Sequence, residues 1–70
     1  MSTIGREIRK TRIDKRLLQK TLAERLGVPQ QYISRVESDK VDLRLSTLQR
    51  IADELGVDVC TLLRDVGKET

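Results

Sequence analysis

The sequence predicts an all-α fold, a compact bundle of five helices, and three observations carry that expectation. Apolar residues recur at steps of three and four, as in Leu22-Ala23-Leu26 and Leu48-Ile51-Ala52-Leu55, which is the period of a helix and not of a strand. Gly27 and Gly56 stand just past these two stripes, where a helix exits through a left-handed residue. One Tyr and no Phe or Trp leave a core of Leu, Ile and Val. The 70 residues allow one domain over 1–70, ordered over about 3–66, with a small core and a thin stability margin.

The first helix is expected from Thr3 to Lys15, with Ile4 and Ile8 inward and Thr3 or Ser2 as its cap. Ile13 is apolar on what should be its wet side. The second is expected from Gln19 to Leu26, ended by Gly27. The third is expected from Pro29 to Ser38, since proline suits the first helical position. Ser46 followed by Gln49 reads as a capping box and starts the fourth helix at Thr47, running to Leu55. The fifth is expected from Val59 to Val66 with Asp58 as its cap, and Gly67 to Thr70 are expected to fray. Cys60 is expected as a small buried hydrophobe, with redox sensing as the alternative. Val41, Leu43, Val59 and Val66 are expected to form an exposed apolar patch suited to a dimer contact.

The composition narrows the function. The net charge is +3, but residues 1–40 hold ten Lys/Arg against five Asp/Glu, whereas residues 41–70 hold four against six. A basic half suits a polyanion, although a solvated charged surface explains the charge alone equally well. Histidine is absent and there is one cysteine, so no disulfide within the chain, no zinc site and no other cofactor are expected. No nucleophile–base pair or Gly-rich phosphate loop is present, so an enzyme is not expected. No apolar run nears the roughly eighteen residues of a spanning helix. With no recognisable leader, a cytoplasmic, nucleoid-associated location is expected.

The stretch Gln19 to Val36, QKTLAERLGVPQQYISRV, is the most informative. Small Ala23 allows the second and third helices to approach closely, Gly27 makes the turn, and Leu22, Leu26, Val28, Ile33 and Val36 fix the angle. Helical spacing then turns Gln31, Ser34, Arg35 and Ser38 away from Ile33 and Val36, with Gln30 at the helix start. Glutamine can pair bidentately with adenine and arginine with guanine. Gln19 opens the second helix, whose N-terminus carries unpaired N–H donors. Each polar residue alone fits an ordinary wet face; the set fits a helix presented to the major groove.

These residues resemble the Cro/repressor type of helix-turn-helix DNA-binding domain known from lambdoid phage repressors. The pattern is Gln19, Leu22-Ala23, Leu26-Gly27-Val28, Tyr32-Ile33-Ser34-Arg35 and Glu37, continued by Leu45, Thr47-Leu48, Ile51-Ala52, Leu55-Gly56-Val57 and Leu62-Leu63. The resemblance spans about Ile4 to Leu63 and implies a five-helix bundle with the motif in its second and third helices. It implies base reading by Gln30, Gln31, Ser34 and Arg35. Gln19 is implied to contact phosphate, and Arg12 and Glu37 to form an internal salt bridge between the first and third helices. Ser38, Lys40 and Arg44 are further phosphate candidates, Lys40 and Arg44 being nearly as well read as solvated loop charges. Tyr32 either touches phosphate or covers the core edge. The sequence departs from the pattern at Leu18, where Ser or Thr usually caps, and at Arg16 and Asp39, where glycine often ends a helix.

The expectation is a sequence-specific regulator, a repressor bound as a homodimer to a palindromic operator in double-stranded DNA. An antitoxin-type DNA-binding partner of a toxin protein is the alternative, because Ile33 to Leu48 resembles stretches of antitoxins with this fold. A protein-interaction module without DNA binding ranks third.

Overall fold

A computed structural model of the chain describes residues 2–66. Its helices are α1 (Ile4–Asp14), α2 (Gln19–Leu26), α3 (Gln30–Glu37), α4 (Leu45–Leu55) and α5 (Val59–Leu63). The number and order of helices match the expectation. The fraying expected at Gly67 to Thr70 lies outside the described residues.

One aliphatic cluster holds all five together. Ile8 from α1, Leu22, Ala23 and Leu26 from α2, Ile33 and Val36 from α3, Leu48, Ile51, Ala52 and Leu55 from α4 and Leu62 from α5 are all buried in it. These are the residues of the helical stripes, so periodicity located the core. Ala23, 2% exposed, lies in this cluster, and α2 packs against both α3 and α4.

Four helices end in the same way. The N–H of Leu17 reaches Arg12 O, that of Val28 reaches Ala23 O, that of Lys40 reaches Arg35 O and that of Val57 reaches Ala52 O, at 2.9–3.0 Å. The residue before each donor lies in the left-handed region: Arg16 at φ 58°, Gly27 at 71°, Asp39 at 59° and Gly56 at 72°. This six-to-one closure satisfies carbonyls that a helix end would otherwise leave open. Arg16 and Asp39 thus do without glycine what Gly27 and Gly56 do with it.

The boundaries shift where capping geometry decides. Thr3 caps α1, its Oγ1 accepting from the Arg6 N–H at 3.2 Å. Lys15 is the C-cap of α1 rather than its last turn. Pro29 is extended (ψ 149°) and precedes α3 as its N-cap, one position before the expected place, and Ser38 is the C-cap. α4 begins two residues earlier than expected, because the Leu48 N–H already bonds Arg44 O at 3.0 Å. Arg44 is therefore the N-cap and the Ser46–Gln49 capping box does not form. Asp58 is the N-cap of α5, without a side-chain cap bond. α5 stops at Leu63, not Val66; Val66 instead forms an isolated parallel bridge with Ser2.

Two expectations about side chains are corrected. Cys60 is exposed. At about 100° per residue it sits some 200° from Leu62, the buried residue of α5. Val41, Leu43, Val59 and Val66 are all half-buried, the first three against the core, instead of forming an open patch. Among the described residues, the large apolar side chains that are exposed are Ile13, Leu18, Leu45 and Leu63. No helix among the described residues is long and apolar enough to cross a membrane.

Candidate nucleic-acid interface

α2 and α3 meet through the Gly27 turn, and their outer surfaces form one face with α1. Gln30, Ser34 and Ser38 are four residues apart and so lie in one row along α3. That row borders a groove of about 660 Å³ whose other wall carries Leu18, Gln19 and Lys20 from the start of α2 and Arg9 from α1. Gln31 and Arg35 form the neighbouring row; both are exposed but do not line the groove. The structure therefore brings Gln19, Gln30, Ser34 and Ser38 together and sets Gln31 and Arg35 beside them.

Lys40 is exposed in the turn after α3, and Arg44 is exposed at the start of α4. Neither borders the groove. Tyr32 is half-buried and packs against the core, so its ring covers the core edge whatever its hydroxyl does.

Arg12 and Glu37 lie at the floor of the groove. Arg12 Nε donates to Glu37 Oε2 at 2.6 Å and Nη2 donates to Oε1 at 3.1 Å. Their side chains are 10% and 3% exposed, which makes this a buried, forked pair between α1 and α3. Arg12 Nη1 also donates to Leu17 O at 2.7 Å, and Gln19 Nε2 donates to Glu37 Oε1 at 3.0 Å. The glutamine singled out for phosphate is thus already held by an internal carboxylate.

Sequence reasoning missed four contributors. Arg9 and Lys20 add positive charge at the groove; charge at exposed helical positions carries little signal by itself. Arg50 of α4 donates from Nη2 to Leu26 O at 3.1 Å, securing the end of α2 from a distant element. Gly5 is buried where α1 crosses the end of α3; an added Cβ would sit 2.5 Å from Val36 O. Beside it, Asp39 accepts from the Gly5 N–H at 2.9 Å and from Thr3 Oγ1 at 2.5 Å.

A family model described as helix-turn-helix matches residues 8–62. The immunity repressor protein of Bacillus phage phi105 is 35% identical over 68 residues, which make up 97% of this chain and 45% of that protein. The chain spans less than half the length of that curated relative. The restriction-modification controller protein C.AhdI from Aeromonas hydrophila superposes with a TM-score of 0.79 at 29% identity, covering 84% of this chain and 89% of that one. The master regulator for biofilm formation SinR, solved in complex with DNA, gives 0.78 at 32% identity, covering 87% and 98%. The family model reaches from the middle of α1 into α5 and takes in both α2 and α3, and the chain belongs to the Cro/C1-type helix-turn-helix family of DNA-binding transcription regulators.

Proposed function

We propose that this chain represses transcription by occupying a two-fold operator as a homodimer, with α3 of each copy in the major groove. The observation that carries the reading is the pair of exposed polar rows on α3, flanked by the Gln19 groove. Gln30, Gln31, Ser34 and Arg35 read base edges. Gln19, Ser38, Lys40 and Arg44 hold phosphates, joined by the Tyr32 hydroxyl and by Arg9 and Lys20. The phage repressor likeness supports repression, and the SinR complex supports DNA as the partner. Pairing of two copies would use a mixed groove whose lining includes Ile4, Leu63 and Val66 together with Asp39 and Asp42. Repression follows by occlusion of the DNA.

Selection of bound sequences from a random DNA pool, followed by footprinting, tests this. The expected result is two inverted half-sites about 10 base pairs apart, or a multiple, because both α3 helices must meet the same side of the duplex. Affinity should fall steeply with salt. Gln30→Ala with Gln31→Ala should flatten sequence preference more than it lowers nonspecific affinity. No enriched sequence at moderate salt would reject the reading.

A further inference from the structure

The geometry points to Glu37 as a positioning residue for DNA binding, acting through Gln19; this inference rests on the proposed phosphate role of Gln19. Leu18 occupies the N-cap of α2 with no side-chain cap bond, and its side chain is 69% exposed. An uncapped start of this kind should fray. Yet the residues on both sides of Leu18 are tied to one buried pair. Leu17 O accepts from Arg12, and Gln19 Nε2 donates to Glu37. Arg12 and Glu37 are themselves locked by two bonds. The chain Leu17–Arg12–Glu37–Gln19 therefore bridges the position where the local cap is missing.

The chemistry of the acceptor matters. A carboxylate accepts and does not donate, so Glu37 selects the NH2 end of the Gln19 amide. That nitrogen carries two hydrogens. One is spent on Glu37, and the second remains for a phosphate oxygen at the groove. The rotamer entropy of a long side chain is then lost on folding and not on binding. A glutamine at position 37 would offer either end of its own amide and lose this selection. Arg12 neutralises Glu37, so the carboxylate does not repel an approaching phosphate.

The test is a double-mutant cycle on the selected operator, read by fluorescence anisotropy. Gln19→Ala should weaken binding by about tenfold, the scale of one charge-assisted hydrogen bond. Glu37→Gln should weaken it by a similar factor. The double variant should lose no more than about twofold beyond the weaker single one, since residues acting through one contact are not additive. Losses that multiply would overturn the positioning role, as would a Glu37→Gln variant that binds like the parent. Absence of specific binding by the parent chain rejects the DNA reading itself and shows in that arm alone. Should Glu37→Gln fail to fold, the parent chain still decides. Side-chain amide relaxation should show Gln19 clearly more ordered than Gln31 in the free protein. Equal mobility of the two amides would overturn the inference.

Discussion

α1 and α3 leave through Arg16 and Asp39, whereas α2 and α4 leave through Gly27 and Gly56, although all four exits share one left-handed geometry. A side chain in that region costs roughly 1–2 kcal/mol, which glycine avoids. The two pairs differ in what else holds them. α2 and α4 pack through Leu22, Ala23, Leu26, Leu48, Ile51, Ala52 and Leu55, all in the apolar cluster. α1 and α3 add the Arg12–Glu37 pair and the Asp39 bonds to Gly5 and Thr3. The glycine-ended pair is fixed by local conformation and apolar burial, with the Arg50 Nη2 bond to Leu26 O as its polar contact. The other pair is fixed by polar contacts between residues 25 to 36 positions apart, and those contacts offset its strained exits. α3, the helix proposed to enter the major groove, belongs to the second pair, so its placement depends on hydrogen bonds as much as on packing.

Removing one partner of the buried pair should break the comparison most strongly. Glu37→Ala leaves Arg12 buried and uncompensated, and should cost about 3–5 kcal/mol in a urea melt. Ile51→Ala in the apolar pair should cost about 2–5 kcal/mol through cavity formation. The two differ in how they can be repaired. Arg12→Met combined with Glu37→Leu should recover most of the stability, because an apolar replacement of a buried ion pair is often neutral or better. That double variant frees Leu17 O and Gln19, so its DNA affinity should stay low while its melt recovers. Recovery of both together would mean that the pair serves stability alone.

This contrast also explains what was legible in the sequence. The apolar stripes of α2 and α4 and the exits at Gly27 and Gly56 follow local rules, so the core and the motif could be read directly. Arg12 with Glu37 was legible through resemblance to a family pattern, not through periodicity; the same pattern marked Arg16 and Asp39 only as departures from glycine and left their turn geometry open. Asp39 as an acceptor for α1 was not legible, because nothing local in the sequence links position 39 to position 5. The start of α4 was misread for a related reason. Ser46 and Gln49 have the composition of a capping box, but the loop presents Arg44 O to Leu48 first, and the helix begins there. Cys60 was misplaced because a five-residue helix gives too short a stripe to fix its inner face.

A smaller effect is expected at Gly5, which sharpens the difference between crowding and conformation. Gly5→Ala would place a Cβ 2.5 Å from Val36 O and 2.8 Å from Glu37 O, both backbone atoms that a rotamer change cannot move. α1 must then shift from α3, at a cost of about 1–3 kcal/mol. Gly27→Ala meets no atom within 4 Å and should cost about 1 kcal/mol, from its positive φ alone. Thermal melts should rank Gly5→Ala as the worse change. It should also weaken DNA binding, since it moves the helix that carries Gln30 and Ser34. The reverse ranking would show that the α1–α3 contact yields more readily than its polar bonds suggest.

The smallest effects separate strain from its compensation. Arg16 and Asp39 have nearly the same backbone, φ 58° and 59°, so glycine relieves both by a similar amount. Arg16→Gly should therefore stabilise the chain by about 0.5–1 kcal/mol, the left-handed penalty less the entropy of an added glycine. Asp39→Gly gains the same relief but strips the acceptor from the Gly5 N–H and from Thr3 Oγ1. Loss of a helix cap costs about 1 kcal/mol, and here Asp39 caps the second N–H of α1 while Thr3 caps the third, at Arg6. The net change at Asp39 should thus be destabilising, opposite in sign to that at Arg16. Two urea titrations decide it. Stabilisation by both substitutions would mean that the Asp39 bonds add nothing beyond what water gives, and that α1 and α3 are joined by the Arg12–Glu37 pair and by packing alone. Opposite signs would assign Asp39 a place in the fold that its left-handed backbone by itself argues against.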